Sequence, residues 1–159
     1  GGLVGSVSAT STIRRASATG NVSSETGNTV GGLIGLCENL TLQDSYARGS
    51  ASGDQNIGGL VGHATTCTIT RTYAAGAVTG NSDKGRLIGE VASSGTTATA
   101  SLANSTVNSG LSFIGLGSAT TTNSASVTST QLNTESTYTS RSWNFTTVWI
   151  MGTGGAVLR

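Results

Sequence analysis

The sequence predicts an all-β fold, a β-solenoid (parallel β-helix) of about five coils, on three observations. The first is a pentapeptide that keeps returning: Gly1-Gly2-Leu3-Val4-Gly5, Gly31-Gly32-Leu33-Ile34-Gly35, Gly58-Gly59-Leu60-Val61-Gly62 and Gly85-Arg86-Leu87-Ile88-Gly89, with a worn copy at Ser112-Phe113-Ile114-Gly115. Matching glycines lie 30, 27, 27 and 26 residues apart (Gly5, Gly35, Gly62, Gly89, Gly115), and a period of this size marks a stacked array. The second is composition. With 24 Gly, no Pro, 4% aromatic and 9% charged residues in 159, the chain lacks the bulk for a thick core and the charge typical of disorder. A solenoid fits both facts, because its narrow core is filled by stacked small apolar residues while Ser and Thr suit the outer faces. The third is that each repeat holds three short strand-like pieces separated by Gly and Asn.

In chain order, coils begin near residues 1, 31, 58, 85 and 112 and fill 1–130. Ungapped alignment of the second and third copies places Leu42 over Ile69, Tyr46 over Tyr73, Ala47 over Ala74, Gly49 over Gly76 and Ala51 over Val78. With one extra residue the first copy adds Ile13, Ser17, Ala18, Gly20 and Val22. Two columns of equal parity are expected to face the core: Leu3, Leu33, Leu60, Leu87, Phe113, and four residues on Val7, Cys37, Ala64, Val91, Gly117. Ser6, Leu36, His63, Glu90 and Leu116 form a mixed, outward column. Val4, Ile34, Val61, Ile88 and Ile114 are apolar on the opposite parity; a backbone corner at the glycines is favoured over an outward apolar stripe. The fourth copy departs from the pattern, with a wider turn at Ser93–Thr99 and Ser109-Gly110-Leu111 in place of its third strand. Residues 131–159 change style and hold both tryptophans; with Trp143, Phe145 and Trp149 they are expected to cap an open apolar end, or to dock on another subunit. The chain opens inside a repeat, so it is expected to be a piece of a longer array.

The recurring residues resemble the GLUG motif family of bacterial secreted and surface proteins, whose repeat reads Gly-Gly-Leu-Val-Gly, a turn, then Ile-x-Asn-Ser-Tyr-Ala-x-Gly-x-Val-Ser-Gly. Gly58-Gly59-Leu60-Val61-Gly62, Ile69 and Tyr73-Ala74-Ala75-Gly76-Ala77-Val78-Thr79-Gly80 follow it nearly throughout, and residues 1–117 follow it by repeats. Ser142-Trp143-Asn144-Phe145 through Trp149 resembles the Trp-x-Phe-x-x-x-Trp segment that often follows such arrays, without its usual Pro; Gly154-Gly155-Ala156-Val157-Leu158 stands there instead. The resemblance implies a β-solenoid of large adhesin-like proteins, also found as a non-catalytic part of some immunoglobulin-cleaving metalloproteases. It implies no catalytic residues.

The residues themselves point the same way. His63 is the only histidine, no His-Glu-x-x-His exists, and no base accompanies a nucleophile, so neither a metal nor a cofactor is expected and His63 is read as a solvated surface residue. Net charge is +1, which gives no footprint for nucleic acid or an anionic membrane, and no apolar run is long enough to span a bilayer. Cys37 and Cys67 sit three positions apart on neighbouring coils, which favours two buried thiols over a disulfide, unless a narrow core brings them across from opposite walls. Asp54 with Asn56 and Asp83 with Asn81 are read as turn formers ahead of calcium ligands. Arg15, Asp44 and Arg71 align with alternating sign and are expected to form a charge ladder, with Asn104 near the next register. Tyr46 and Tyr73 offer a stacking platform for glycan rings. The function expected is a non-enzymatic, extracellular structural or adhesive segment of a bacterial surface protein or fibre. Its partners would be flanking domains, copies of itself stacked end to end, or a host or matrix glycan. The alternative is a ligand-binding module on the solenoid face, for a glycan ahead of ice, because the Thr-rich pieces at 96–99 and 120–122 do not recur in register.

Overall fold

The computed structural model describes residues 1–26 and 28–159, and it is a parallel β-solenoid of about five turns. Each coil passes through up to three faces. The first is a seven-stranded parallel sheet of Val4–Val7, Ile34–Glu38, Val61–Thr65, Lys84–Val91 and Ser112–Leu116, with Val30–Gly31 and Ile57–Gly58 paired ahead of the glycine corners. The second runs from Ser11–Arg14 and Ser17–Ala18 through Leu40–Ala47 and Thr68–Ala74. It ends with Thr97–Thr99, Leu102–Asn104, Thr120–Thr122 and Ala125–Val127. The third is short: Val22–Ser23, Ala51–Ser52 and Val78–Thr79. The register follows the aligned columns, with Ile13, Leu42, Ile69 and Ala98 in one row and Ser17, Tyr46, Tyr73 and Leu102 in another.

The Gly-Gly-Leu-Val/Ile-Gly stretch is a corner. The amides of Leu33 and Ile34 both donate to the Leu60 carbonyl, at 2.9 and 3.0 Å, and those of Leu3 and Val4 both donate to Leu33. Successive amides of a straight strand point to opposite sides, so two aimed at one carbonyl mean that the chain bends between them. The bend turns Leu33 and Ile34 into the same core, as it does Leu60 with Val61 and Leu87 with Ile88, all fully buried. Cys37, Ala64 and Val91 join that core, while Val7 and Phe113 at the outer coils are only partly covered. Leu3 departs from its expected burial. It is 49% exposed, because no further coil lies over it. Gly117 is likewise exposed on the last coil.

The other corners are made by residues in the left-handed region: Asn39 and Thr66 between the first two faces, Asn56 and Asp83 before the first, and Arg15, Asp44, Arg71, Ala100 and Asn123 midway along the second. Asn and Asp tolerate this conformation best, so Asn56 and Asp83 act at turns. After the mid-face corner of the second to fifth coils comes a hydroxyl residue, Ser45, Thr72, Ser101 and Ser124, where the first coil has Ala16. Ser45 Oγ donates to the Gln43 carbonyl and accepts from the Ala16 amide of the coil below; Ser124 Oγ accepts from Ser101 N and donates to Ala98 O. Ser45 and Ser124 therefore satisfy backbone groups that the corner removes from the ladder, Ser101 Oγ does so for the Thr99 carbonyl, and Thr72 Oγ1 donates to Ser101 Oγ. The corner also flips the side-chain alternation. Before it Leu42 and Ile69 point inward; after it Ala47 and Ala74 do, and Tyr46 and Tyr73 leave the solenoid core for a separate aromatic cluster. Asn104 does not occupy the corner register, which belongs to Ala100 and Asn123.

In the fourth coil the third strand is missing and one side chain replaces it. Asn108 Oδ1 accepts from Val78 N at 2.8 Å and its Nδ2 donates to Gly76 O at 3.0 Å, so its carboxamide imitates the missing peptide unit. The fifth coil is one residue shorter at the glycine corner: Gly85 pairs with Ser112 but Ile88 with Ile114. At Gly32 and Gly59 an added Cβ would strike the carbonyl of the following coil. The shortening accompanies the acceptance of Arg86 in that column.

Cys37 and Cys67 form a disulfide, which corrects the expectation of two thiols. Counting positions along one wall overstated their separation, because the chain turns at Asn39 and Thr66 and the two residues meet across the core with Cα atoms 6.5 Å apart. The bridge closes a 30-residue separation and staples the second coil to the third. Replacing both cysteines by alanine is expected to lower unfolding free energy by about 3–4 kcal/mol from the loop constraint, read as a lower denaturant midpoint.

Candidate functional site

After the last coil, Thr128 caps a short helix at Ser129–Leu132, accepting from Gln131 N while Gln131 returns a bond to Thr128 N. A second short helix, Glu135–Thr139, a turn through Trp143 and Asn144, and an antiparallel hairpin of Trp149–Gly152 with Gly155–Leu158 complete the segment. Gly154 sits at φ +80°, as the tight hairpin turn requires. This segment does not lie over an open end of the coil stack. It runs back along the second face and covers the tyrosine row.

Tyr46 and Tyr73 do stack, with ring planes 7° apart and centroids 5.0 Å apart. As a glycan platform they are unavailable, being 6% and 0% exposed. Trp149 leans on Tyr46 at 6.1 Å, Trp143 and Tyr138 lie about Tyr73, and Phe145 packs at the margin. The physical reason is the parity flip: the tyrosines face outward and are large and apolar, and the tail carries most of the remaining aromatic surface of the chain.

Arg48 secures this junction, and sequence reasoning passed over it. Its Nε donates to Tyr73 Oη at 2.6 Å, Nη1 to Thr153 O at 2.8 Å, and Nη2 to Gly155 O and Ala156 O at 2.8 and 3.2 Å. Its guanidinium also stands 5.1 Å from the Tyr46 ring centroid. Tyr73 Oη donates its hydrogen bond to Ala156 O, and Trp143 Nε1 donates to Ala100 O. One signal was present: the positions equivalent to Arg48 hold Thr19 and Ala75, so a lone charge stands beside the tyrosine row.

Burial holds both phenols above the ordinary tyrosine range, Tyr73 far above it and Tyr138 at about 12. An unfolded tyrosine ionises near pH 10. Between that pH and the raised folded value the unfolded chain binds fewer protons, so stability falls as pH rises. The packing is expected to be fully present below about pH 10 and to be lost from there upward, followed by tryptophan fluorescence and near-ultraviolet dichroism.

The Arg15–Asp44–Arg71 column exists in register, yet only one rung closes. Arg71 Nε and Nη2 grip Asp44 Oδ1 and Oδ2 at 2.6 and 3.0 Å. Arg15 makes no ion pair among the described residues. Between this corner and the tail lies a groove of about 590 Å³, lined by Arg14, Arg15, Gln43, Asp44, Arg71, Ser142, Asn144, Thr147 and Val148.

His63 is paired as well as solvated. Its Nδ1 lies 2.9 Å from Glu90 Oε2 and its Nε2 3.3 Å from Thr65 Oγ1. That connectivity resembles a relay, but the strands carrying it are paired on both sides in the parallel ladder, so their amides are committed and offer no oxyanion site. Among the described residues no three His, Cys, Asp or Glu side chains gather as a metal site, and no helix is long and apolar enough to cross a membrane.

Comparison with known proteins agrees with this architecture. Residues 53–79 match the family described as "The GLUG motif". A 54-residue stretch is 52% identical to Halomucin of Haloquadratum walsbyi, covering 34% of this chain and 1% of that protein. The fold matches the crystal structure of a "putative immunoglobulin A1 protease" from Bacteroides ovatus, with TM-score 0.66 and 19% identity, over 93% of this chain and 48% of that one. The chain thus spans about half of that structure and a hundredth of the curated relative.

Proposed function

We propose, from the premise that this is a GLUG-motif repeat chain, that it is a non-catalytic body segment of a secreted or cell-surface protein. The observation that carries the reading is the strand-over-strand stack of coils, with one register shift between Gly85 and Ile88, around an apolar, disulfide-stapled core. Such a stack resists bending, because neighbouring coils are joined by rows of backbone hydrogen bonds. The disulfide favours an oxidising location, and the likeness to part of a much longer protein named a mucin favours a spacer within an extended chain. The protease activity named for the structural neighbour is not carried over, since likeness at 19% identity speaks to fold alone.

The segment also extends coil upon coil. Val4–Val7 and Ser112–Leu116 each pair with one neighbouring strand of the first face, and Leu3 and Leu116 are exposed beside them. Such edges accept a further coil, from a longer chain or from a second copy. Electron microscopy and sedimentation across rising concentration test this. Native particles are expected to lengthen, while Leu3→Lys, which puts a charge on the open face, stays at the single-particle length. Native protein that remains single at millimolar concentration overturns end-to-end assembly.

A further inference from the structure

We infer that the groove between the Arg15 corner and the tail is a binding site for an acidic oligosaccharide, a chain of sugar rings bearing sparse carboxylate or sulfate groups. The proposal goes beyond the structural reading above and stands independently of it.

Three observations carry it. The groove is built from two parts of the chain that meet only because the tail folds back: Arg14, Arg15, Gln43, Asp44 and Arg71 on one wall, Ser142, Asn144, Thr147 and Val148 on the other. At about 590 Å³ it falls within the size of small-ligand sites. Its charge is unbalanced, with three guanidiniums against one carboxylate, and that carboxylate is already held by Arg71. Arg14 and Arg15 are exposed and without ion pairs among the described residues. Guanidinium is the side chain best matched to a carboxylate or sulfate, through two parallel N–H donors.

The neutral lining selects among anions. Gln43, Ser142, Asn144 and Thr147 put amide and hydroxyl groups beside the arginines, which suits ring hydroxyls between widely spaced charges. Asn144 is already preorganised, its Oδ1 accepting from the amides of Thr146 and Thr147 at 2.9 Å each, so its Nδ2 remains as a donor. A nucleic acid is disfavoured, because a net charge of +1 over the whole chain gives no extended field for a phosphate at every residue.

The test uses the whole chain and four probes by calorimetry at low salt: trigalacturonate, a chondroitin sulfate tetrasaccharide, neutral cellotriose and the tripeptide Glu-Glu-Glu, with inorganic sulfate as an ion control. At least one acidic oligosaccharide is expected to bind tenfold or more tightly than cellotriose, the tripeptide and sulfate, and to weaken several-fold between 50 and 300 mM salt. Binding of trigalacturonate shows that carboxylate suffices for recognition, and binding of the tetrasaccharide alone, which carries both groups, shows that sulfate is required. Arg15→Asn removes the free charge while keeping a residue that tolerates the left-handed backbone at φ +52°, and is expected to weaken binding at least tenfold with an unchanged thermal midpoint. Equal binding of the acidic and neutral sugars overturns the proposal. So does equal binding of the tripeptide, no binding at millimolar probe, or an Arg15→Asn variant that binds as the native chain does.

Discussion

Trp149→Ala is expected to cost about 3–5 kcal/mol of unfolding free energy, a drop of roughly 10–15 °C in the thermal midpoint for a chain of this length. Trp149 is the largest fully buried side chain. It touches Tyr46 of the second coil and Trp143 of the tail, whose ring centroid is 4.5 Å away. Its removal opens a cavity between the second face and the tail, within the aromatic cluster that joins them. The tyrosine stack then becomes accessible, so the same variant is expected to gain tyrosine iodination at Tyr46. A loss below about 1 kcal/mol would mean that the tail does not rest on the tyrosine row.

Gly58→Ala is the second large effect, and it acts through backbone alone. A Cβ there would overlap the Val61 carbonyl and lie 2.7 Å from the Gly89 amide nitrogen of the next coil. Neither neighbour is a side chain that can rotate away, so the coils must separate. The expected loss is about 3 kcal/mol or more, or failure to accumulate folded protein. Gly20→Ala is the control: nothing lies within 4 Å of its added Cβ, and it is expected to change stability by less than about 1 kcal/mol. The contrast separates a glycine needed for close approach from one that is merely frequent.

How much of this was legible in the sequence depends on the kind of contact. Coil register was legible at Ile69, Tyr73, Ala74 and Val78, because each sits over a residue of like size one period earlier. The corner at Leu33-Ile34 was legible too, since two adjacent apolar residues cannot both face inward on a straight strand. Tyr46 and Tyr73 leave the solenoid core, and what covers them was not legible. Their cover depends on tail carbonyls at Thr153, Gly155 and Ala156, and a carbonyl leaves no trace in residue identity. The disulfide failed for a related reason: distance was counted along a straight wall, whereas Asn39 and Thr66 fold that wall around the core. Asn39 carried the signal, as Asn is a frequent left-handed corner residue. The Arg15 rung did not form: Asp44 is gripped by Arg71 through both oxygens, and Arg15 makes no ion pair among the described residues.

The central feature of the molecule is a solenoid whose own C-terminal segment lies along its flank. The most direct measurement is the set of proton cross-relaxation contacts of the Trp149 and Trp143 indoles in a dilute, single-particle sample. Contacts are expected from Trp149 to the Tyr46 ring and from Trp143 to Tyr73, whose centroids are 6.1 and 6.3 Å away. Indole contacts to Phe113 and Leu116 on the last coil, with none to the tyrosines, would contradict this arrangement.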